Sequence, residues 1–75
     1  MKQRSLDVRE LEAPEPLERI LGELDSLQSD EQLNVTHWRE PLLLYPILTE
    51  RGWQYKTEYN EKNRTYLISI RKDKQ

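Results

Sequence analysis

Two alternating stretches on either side of a short polar segment constrain this chain more than anything else in it. From Trp53 to Tyr59, the residues Trp53, Tyr55, Thr57 and Tyr59 hold one set of alternate positions. Gln54, Lys56 and Glu58 hold the other. From Arg64 to Arg71 the pattern resumes, with Tyr66, Ile68 and Ile70 opposing Thr65, Leu67 and Ser69. A period of two sends successive side chains to opposite faces of a strand, and Asn60–Asn63 between the stretches has turn length and turn chemistry. The pair reads as a β-hairpin. A hairpin alone is marginal in water, so the rest of the chain must supply neighbouring strands and a covering layer.

That layer is visible in a second period. Leu17, Ile20, Leu21, Leu24 and Leu27 follow the i, i+3, i+4, i+7 spacing of one helical face. Pro14 and Pro16 bracket Glu15 at its start, where proline is tolerated because the first amides have no intrahelical acceptor. Glu15 and Glu18 suit the positive end of the helix. Ser5–Arg9 before it reads as a strand with Leu6 and Val8 inward, and Gln32–Trp38 after it as another with Leu33, Val35 and His37 on one face. Residues 41–51 form a second helix. Pro46 requires 41–45 to be an irregular lead-in, because proline deep in a helix removes a hydrogen bond and clashes with the preceding turn. Leu44, Ile47 and Leu48 face the sheet, and Gly52 is the left-handed stop.

The order β-α-β-α-β-β predicts an α+β two-layer sandwich: a four-stranded mixed sheet with both helices on one face and the first two strands parallel. The expected core is Leu6, Val8, Leu17, Ile20, Leu21, Leu24, Leu33, Val35, Leu44, Ile47 and Leu48, joined by Tyr66, Ile68 and Ile70 or, in the opposite register of the hairpin, by the alternate set. At 75 residues the chain holds one domain, 1–75, with fraying expected at 1–4 and 72–75. The order of strands in the sheet and the oligomeric state stay open.

Composition removes several kinds of chemistry. There is no cysteine, hence no disulfide, thiolate metal site or cysteine nucleophile. The single histidine, His37, precludes a His-rich site. No apolar run is long enough to span a membrane, and Met1–Val8 has no apolar signal core, so a cytoplasmic location is expected. Residues 1–31 carry a net charge of −5 and residues 32–75 a net of +3. The basic half sets Lys56, Arg64, Arg71, Lys72 and Lys74 beside Trp53, Tyr55, Tyr59 and Tyr66. Those residues suggest a weak nucleic-acid surface, but a solvated sheet face with guarding charges accounts for them as well. The only glycines are Gly22 and Gly52, so no phosphate-cradling loop exists.

The best polar constellation lies on the two strand-to-helix loops, which a parallel β-α-β pair brings to one edge of the sheet. It comprises Arg9, Glu10, Glu12, His37, Arg39 and Glu40. Arg9 and Arg39 have bidentate geometry available to Glu10, Glu12 or Glu40, or to an oxyanion of a partner. His37 is expected to pair with a backbone carbonyl or one of those carboxylates and to hold the loop presenting Arg39. It is a weak candidate metal ligand, because a tight site needs three or four donors, and no cofactor is expected. Trp38 is expected on the open face of the sheet, as part of a contact patch.

Residues 6–21, LDVRELEAPEPLERIL, resemble the opening of the TusA/SirA-like sulfur carriers: a strand, Gly-Leu, then Cys-Pro-x-Pro beginning a helix. Leu11 keeps the leucine and Pro14-Glu15-Pro16 keep Pro-x-Pro, while Glu10 stands at the glycine position and Ala13 at that of the cysteine. The chain is more closely similar to the small bacterial proteins of the DUF2249 family. The shared features are Asp7-Val8-Arg9, Pro14-Glu15-Pro16, His37-Trp38-Arg39-Glu40-Pro41, Leu44-Tyr45-Pro46-Ile47-Leu48 and Glu50-Arg51-Gly52. The resemblance implies the same sandwich fold. Ala13 is the lost nucleophile position, so persulfide transfer is excluded. Glu12, Glu15 and Glu18 make this helix start an acidic rim suited to a basic partner.

The expected function is a non-enzymatic interaction or regulatory module on a sulfur-carrier-like scaffold, with another protein as partner. The first alternative is an accessory protein responsive to a metal, haem or anion through His37. The resemblance gives it context, since relatives are often encoded near redox and nitrogen-oxide proteins. The second alternative is weak nucleic-acid binding through the basic half.

Overall fold

A computed structural model describes residues 2–72. The elements are β1 (Lys2–Asp7), α1 (Glu15–Ser26), β2 (Glu31–His37), α2 (Leu44–Glu50), β3 (Trp53–Asn60) and β4 (Thr65–Lys72). They build the expected α+β sandwich, a four-stranded mixed sheet in the order β1-β2-β4-β3. β1 runs parallel to β2, with Leu6 opposite Val35, and β4 runs antiparallel to both β2 and β3. The hairpin β3–β4 therefore joins the β-α-β unit through its second strand, leaving β1 and β3 as edges.

Strand alternation sends Leu6, Leu33, Val35, Ile68 and Ile70 to one face, where Ile20, Leu24 and Leu27 of the α1 region and Leu44 and Leu48 of α2 close over them. The other face is polar and uncovered by helix. Asn34 Nδ2 donates to Gln3 Oε1 at 2.7 Å, and Gln32 Nε2 donates to Asn34 Oδ1 at 2.8 Å. The hairpin takes the register with Ile68 and Ile70 inward, which leaves Leu67 exposed on the open face.

Several local expectations shift. β1 begins at Lys2 and not at Ser5, so residues 2–4 are paired and not frayed. Lys2 N–H donates to Asp30 O at 2.8 Å, and the Arg4 guanidinium reaches Ser26 Oγ at 2.8 Å and Glu31 Oε1 at 2.9 Å. Parallel pairing with β2 orders this polar segment, a contact that its own pattern does not announce. Lys72 is the last residue of β4, opposite Trp53; the fraying expected at Met1 and at 73–75 lies outside the described residues. On α1 the buried line is Pro16, Ile20, Leu24 and then Leu27, while Leu17 and Leu21 are half-buried on its flank. Ile47 and Tyr66 are likewise half-buried. The layer is narrow, so only the centre of each apolar stripe meets the sheet. The irregular lead-in is 41–43, two residues shorter than expected; α2 starts at Leu44, which still puts Pro46 in its first turn, and Gly52 adopts φ +81° just past its end. No helix among the described residues is long and apolar enough to cross a membrane.

Candidate functional site

Because β1 and β2 are parallel, their carboxyl ends emerge at one edge, and the chain turns there into α1 and α2. Between the two loops lies an open cleft of about 660 Å³. Its base is apolar: the fully buried Val8, Ile20 and Leu44 lie just beneath it, with Pro16 beside them. The first loop and the start of α1 contribute Leu11, Glu12, Ala13, Pro14 and Leu17. The second loop contributes His37, Trp38, Arg39 and Glu40, followed by Pro41, Leu42 and Leu43.

His37 closes β2 and is half-buried. Its Nδ1 accepts the backbone N–H of Arg39 at 3.0 Å, which pins the loop two residues on. The partner is thus an amide, not the carbonyl or carboxylate expected. Burial, and then the positive charge of Arg39, lower the His37 pKa from its ordinary value. Protonation would also set a ring N–H against the Arg39 amide. At neutral pH the ring is neutral, with its proton on Nε2. His37 does hold the loop that carries Arg39, through that residue's backbone. Among the described residues the Arg39 side chain makes no ion pair, and no three His, Asp or Glu side chains converge to hold a metal ion.

The remaining candidates separate. Arg9 does not meet Glu10, Glu12 or Glu40. It grips Asp7 two-pronged, with Nε to Oδ1 at 2.9 Å and Nη2 to Oδ2 at 2.7 Å, while its own amide donates to Asp7 Oδ1 at 3.0 Å. That fork holds the Asp7 carboxyl below the usual carboxylate range. The guanidinium carbon also stands 5.8 Å from the centroid of the Trp38 ring, linking the two loops, although Arg9 itself is not part of the cleft lining. Glu10 is exposed and takes no part in the lining. Glu40 accepts the Tyr45 hydroxyl at 3.1 Å, and the same hydroxyl lies 2.7 Å from Thr57 Oγ1. The Tyr45 ring stacks on Tyr55 at 4.6 Å between centroids, so this side of the cleft is anchored to β3.

Trp38 is not on the open sheet face. β2 ends at His37, so the alternation that put Trp38 opposite Leu33 and Val35 stops one residue short of it. It lies in the loop, half exposed, among the cleft-lining residues. Reading the loops for polar groups missed Leu42 and Leu43, which are 64% and 78% exposed at the cleft. The signal was present. Three leucines run together at 42–44, and a helix beginning at Leu44 turns only that one into the core.

The family model for DUF2249, described as an uncharacterized conserved protein, matches residues 5–72. No curated protein and no solved structure matches the chain.

Proposed function

The chain belongs to the DUF2249 family, and because that description names no activity, we propose a function from the cleft itself: a non-enzymatic module that binds another protein. The observation that carries this reading is an apolar cleft with two leucines left in water beside it. Fully burying a leucine stabilises by about 1.5–3 kcal/mol, so covering Leu42 and Leu43 from their present exposure is worth about 2–4 kcal/mol before the costs of association. The partner presents an apolar side chain to the accessible apolar walls, Leu11 and Leu17 on one side and Trp38, Leu42 and Leu43 on the other, and basic residues to the rim. Glu12 and Glu40 line the cleft with one base, Arg39, and on the adjoining α1 Glu15 and Glu18 stand exposed with one base, Arg19, so acids outnumber bases four to two. The acidic excess favours a basic protein segment over nucleic acid. Ala13 in the lining offers a methyl group and no nucleophile, which suits binding without turnover.

The test is titration of the ¹⁵N-labelled protein with a leucine-containing peptide flanked by lysines and with its glutamate-flanked counterpart. The lysine peptide is expected to shift the amides of 37–44 and the Trp38 indole N–H, the glutamate peptide far less, and Leu43→Ser to weaken the effect. The reading fails if neither peptide moves these signals at about 1 mM, the weak end of specific binding, or if both move them equally.

A further inference from the structure

Among the described residues the sheet ends at β3, which pairs with β4 on one side only. Eight residues make a long edge, and the open side of such a strand is a template for another. We propose that β3 is a self-pairing edge: two copies of this chain join antiparallel through β3, about a two-fold axis at Thr57, into one continuous sheet.

The register follows from charge. In a two-fold antiparallel pair, directly opposed residues lie on the same face, so the axis must pass through a residue position and not between two. Centring on Lys56 sets lysine against lysine, and centring on Glu58 sets glutamate against glutamate. Centring on Thr57 sets Lys56 of each copy opposite Glu58 of the other, twice over. On the same polar face Gln54 then opposes Asn60 of the second copy. On the helix-bearing face Tyr55 opposes Tyr59 of the second copy, and these rings are 38% and 51% exposed in the single chain. Opposite charges and aromatic pairs at directly opposed positions are the stabilising combinations in antiparallel sheets.

Lys56 and Glu58 are available for this role. Their side chains are 79% and 65% exposed, and their only ion pair among the described residues is with each other along the strand, at 3.7 Å. Two such strands side by side alternate the four charges around a square. Exposed ion pairs add little affinity, so here they select the register while backbone hydrogen bonds and the tyrosines hold the pair. The other edge lacks this property. On β1, Lys2 and Arg4 occupy one face and Asp7 the other, so no two-fold register of β1 on itself sets acid opposite base.

The experiment is sedimentation of the wild-type chain, Lys56→Glu and Glu58→Lys, each alone and the two variants mixed in equal amounts, from about 10 μM to 1 mM at low salt, with circular dichroism to confirm folding. The wild type is expected to dimerise with rising concentration. Each single variant should dimerise about tenfold or more weakly, since each converts two opposed attractions into two repulsions. The mixture should regain the dimer, because one variant then offers only acids and the other only bases at the facing positions. A wild type that stays monomeric throughout overturns the proposal. So does a dimer that either single substitution leaves unchanged, or a mixture that associates no better than its components.

Discussion

Replacing Ile20 with alanine tests how α1 is seated. Ile20 has no exposed surface and sits between the sheet and the floor of the cleft. The substitution removes three buried carbons, worth about 2.4 kcal/mol at ~0.8 kcal/mol each. A residual void of roughly 40 Å³ adds about 1 kcal/mol at ~24 cal/mol per Å³. Alanine returns a few tenths of a kcal/mol through its better helix propensity. The net loss is about 3 kcal/mol, against a total of roughly 4–11 kcal/mol for a chain of this length. Leu21 is the control. It belongs to the same apolar stripe but is half-buried, so Leu21→Ala should cost only about 1–1.5 kcal/mol. Urea melts read both, and with a slope of about 1 kcal/mol/M the Ile20→Ala midpoint should fall by about 3 M. A loss under about 1 kcal/mol for Ile20→Ala, or a larger loss for Leu21→Ala, would refute this seating of α1.

Further expectations concern the two glycines and the histidine. A methyl group added at Gly22 or at Gly52 meets nothing within 4 Å, but only Gly52 has positive φ, at +81°. Gly22→Ala should therefore stabilise by about 0.8–1 kcal/mol and raise the melting temperature by several degrees, while Gly52→Ala should cost about 1–2 kcal/mol. Thermal melts showing the same sign for both would break that reasoning. For His37 the folded pKa lies below the unfolded value of about 6.5, so the unfolded chain takes up a proton that the folded one refuses. Stability should be fully present above about pH 7 and decline as pH falls through 6.5 toward the folded pKa. His37→Asn keeps an acceptor for the Arg39 amide without the titration, and its melts should be flat across that window; an equal decline in both proteins would place the titrating group elsewhere.

Which features a sequence displays depends on how far apart their causes lie along the chain. The β3–β4 alternation, the α1 stripe, the position of Pro46 and the left-handed Gly52 all arise from contacts within a turn or a neighbouring strand. Each was legible in residue order, and together they specified a sandwich with both helices on one face. The cleft was legible only in part. Parallel β1 and β2 had to bring residues 9–12 and 37–40 to one edge, and Glu12, His37, Trp38, Arg39 and Glu40 do line the cleft there. Arg9 turned away to Asp7, two residues back, whose carboxylate takes its guanidinium two-pronged at 2.9 and 2.7 Å.

What the chain determines by itself is therefore periodicity, breakers, the absence of a thiol and the single histidine. Tertiary structure decided the rest. The insertion of β4 between β2 and β3 is a choice among long-range pairings that share the same inward faces, so no local pattern ranks them. The strand from Lys2 to Ser5 exists because β2 provides hydrogen-bond partners, not because its own residues favour it. Leu42 and Leu43 are exposed because α2 begins one residue later and the sheet beneath has room for Leu44 alone. Hydrophobicity drives all three leucines toward burial, and the limited area of a four-stranded sheet under two short helices determines which one reaches it.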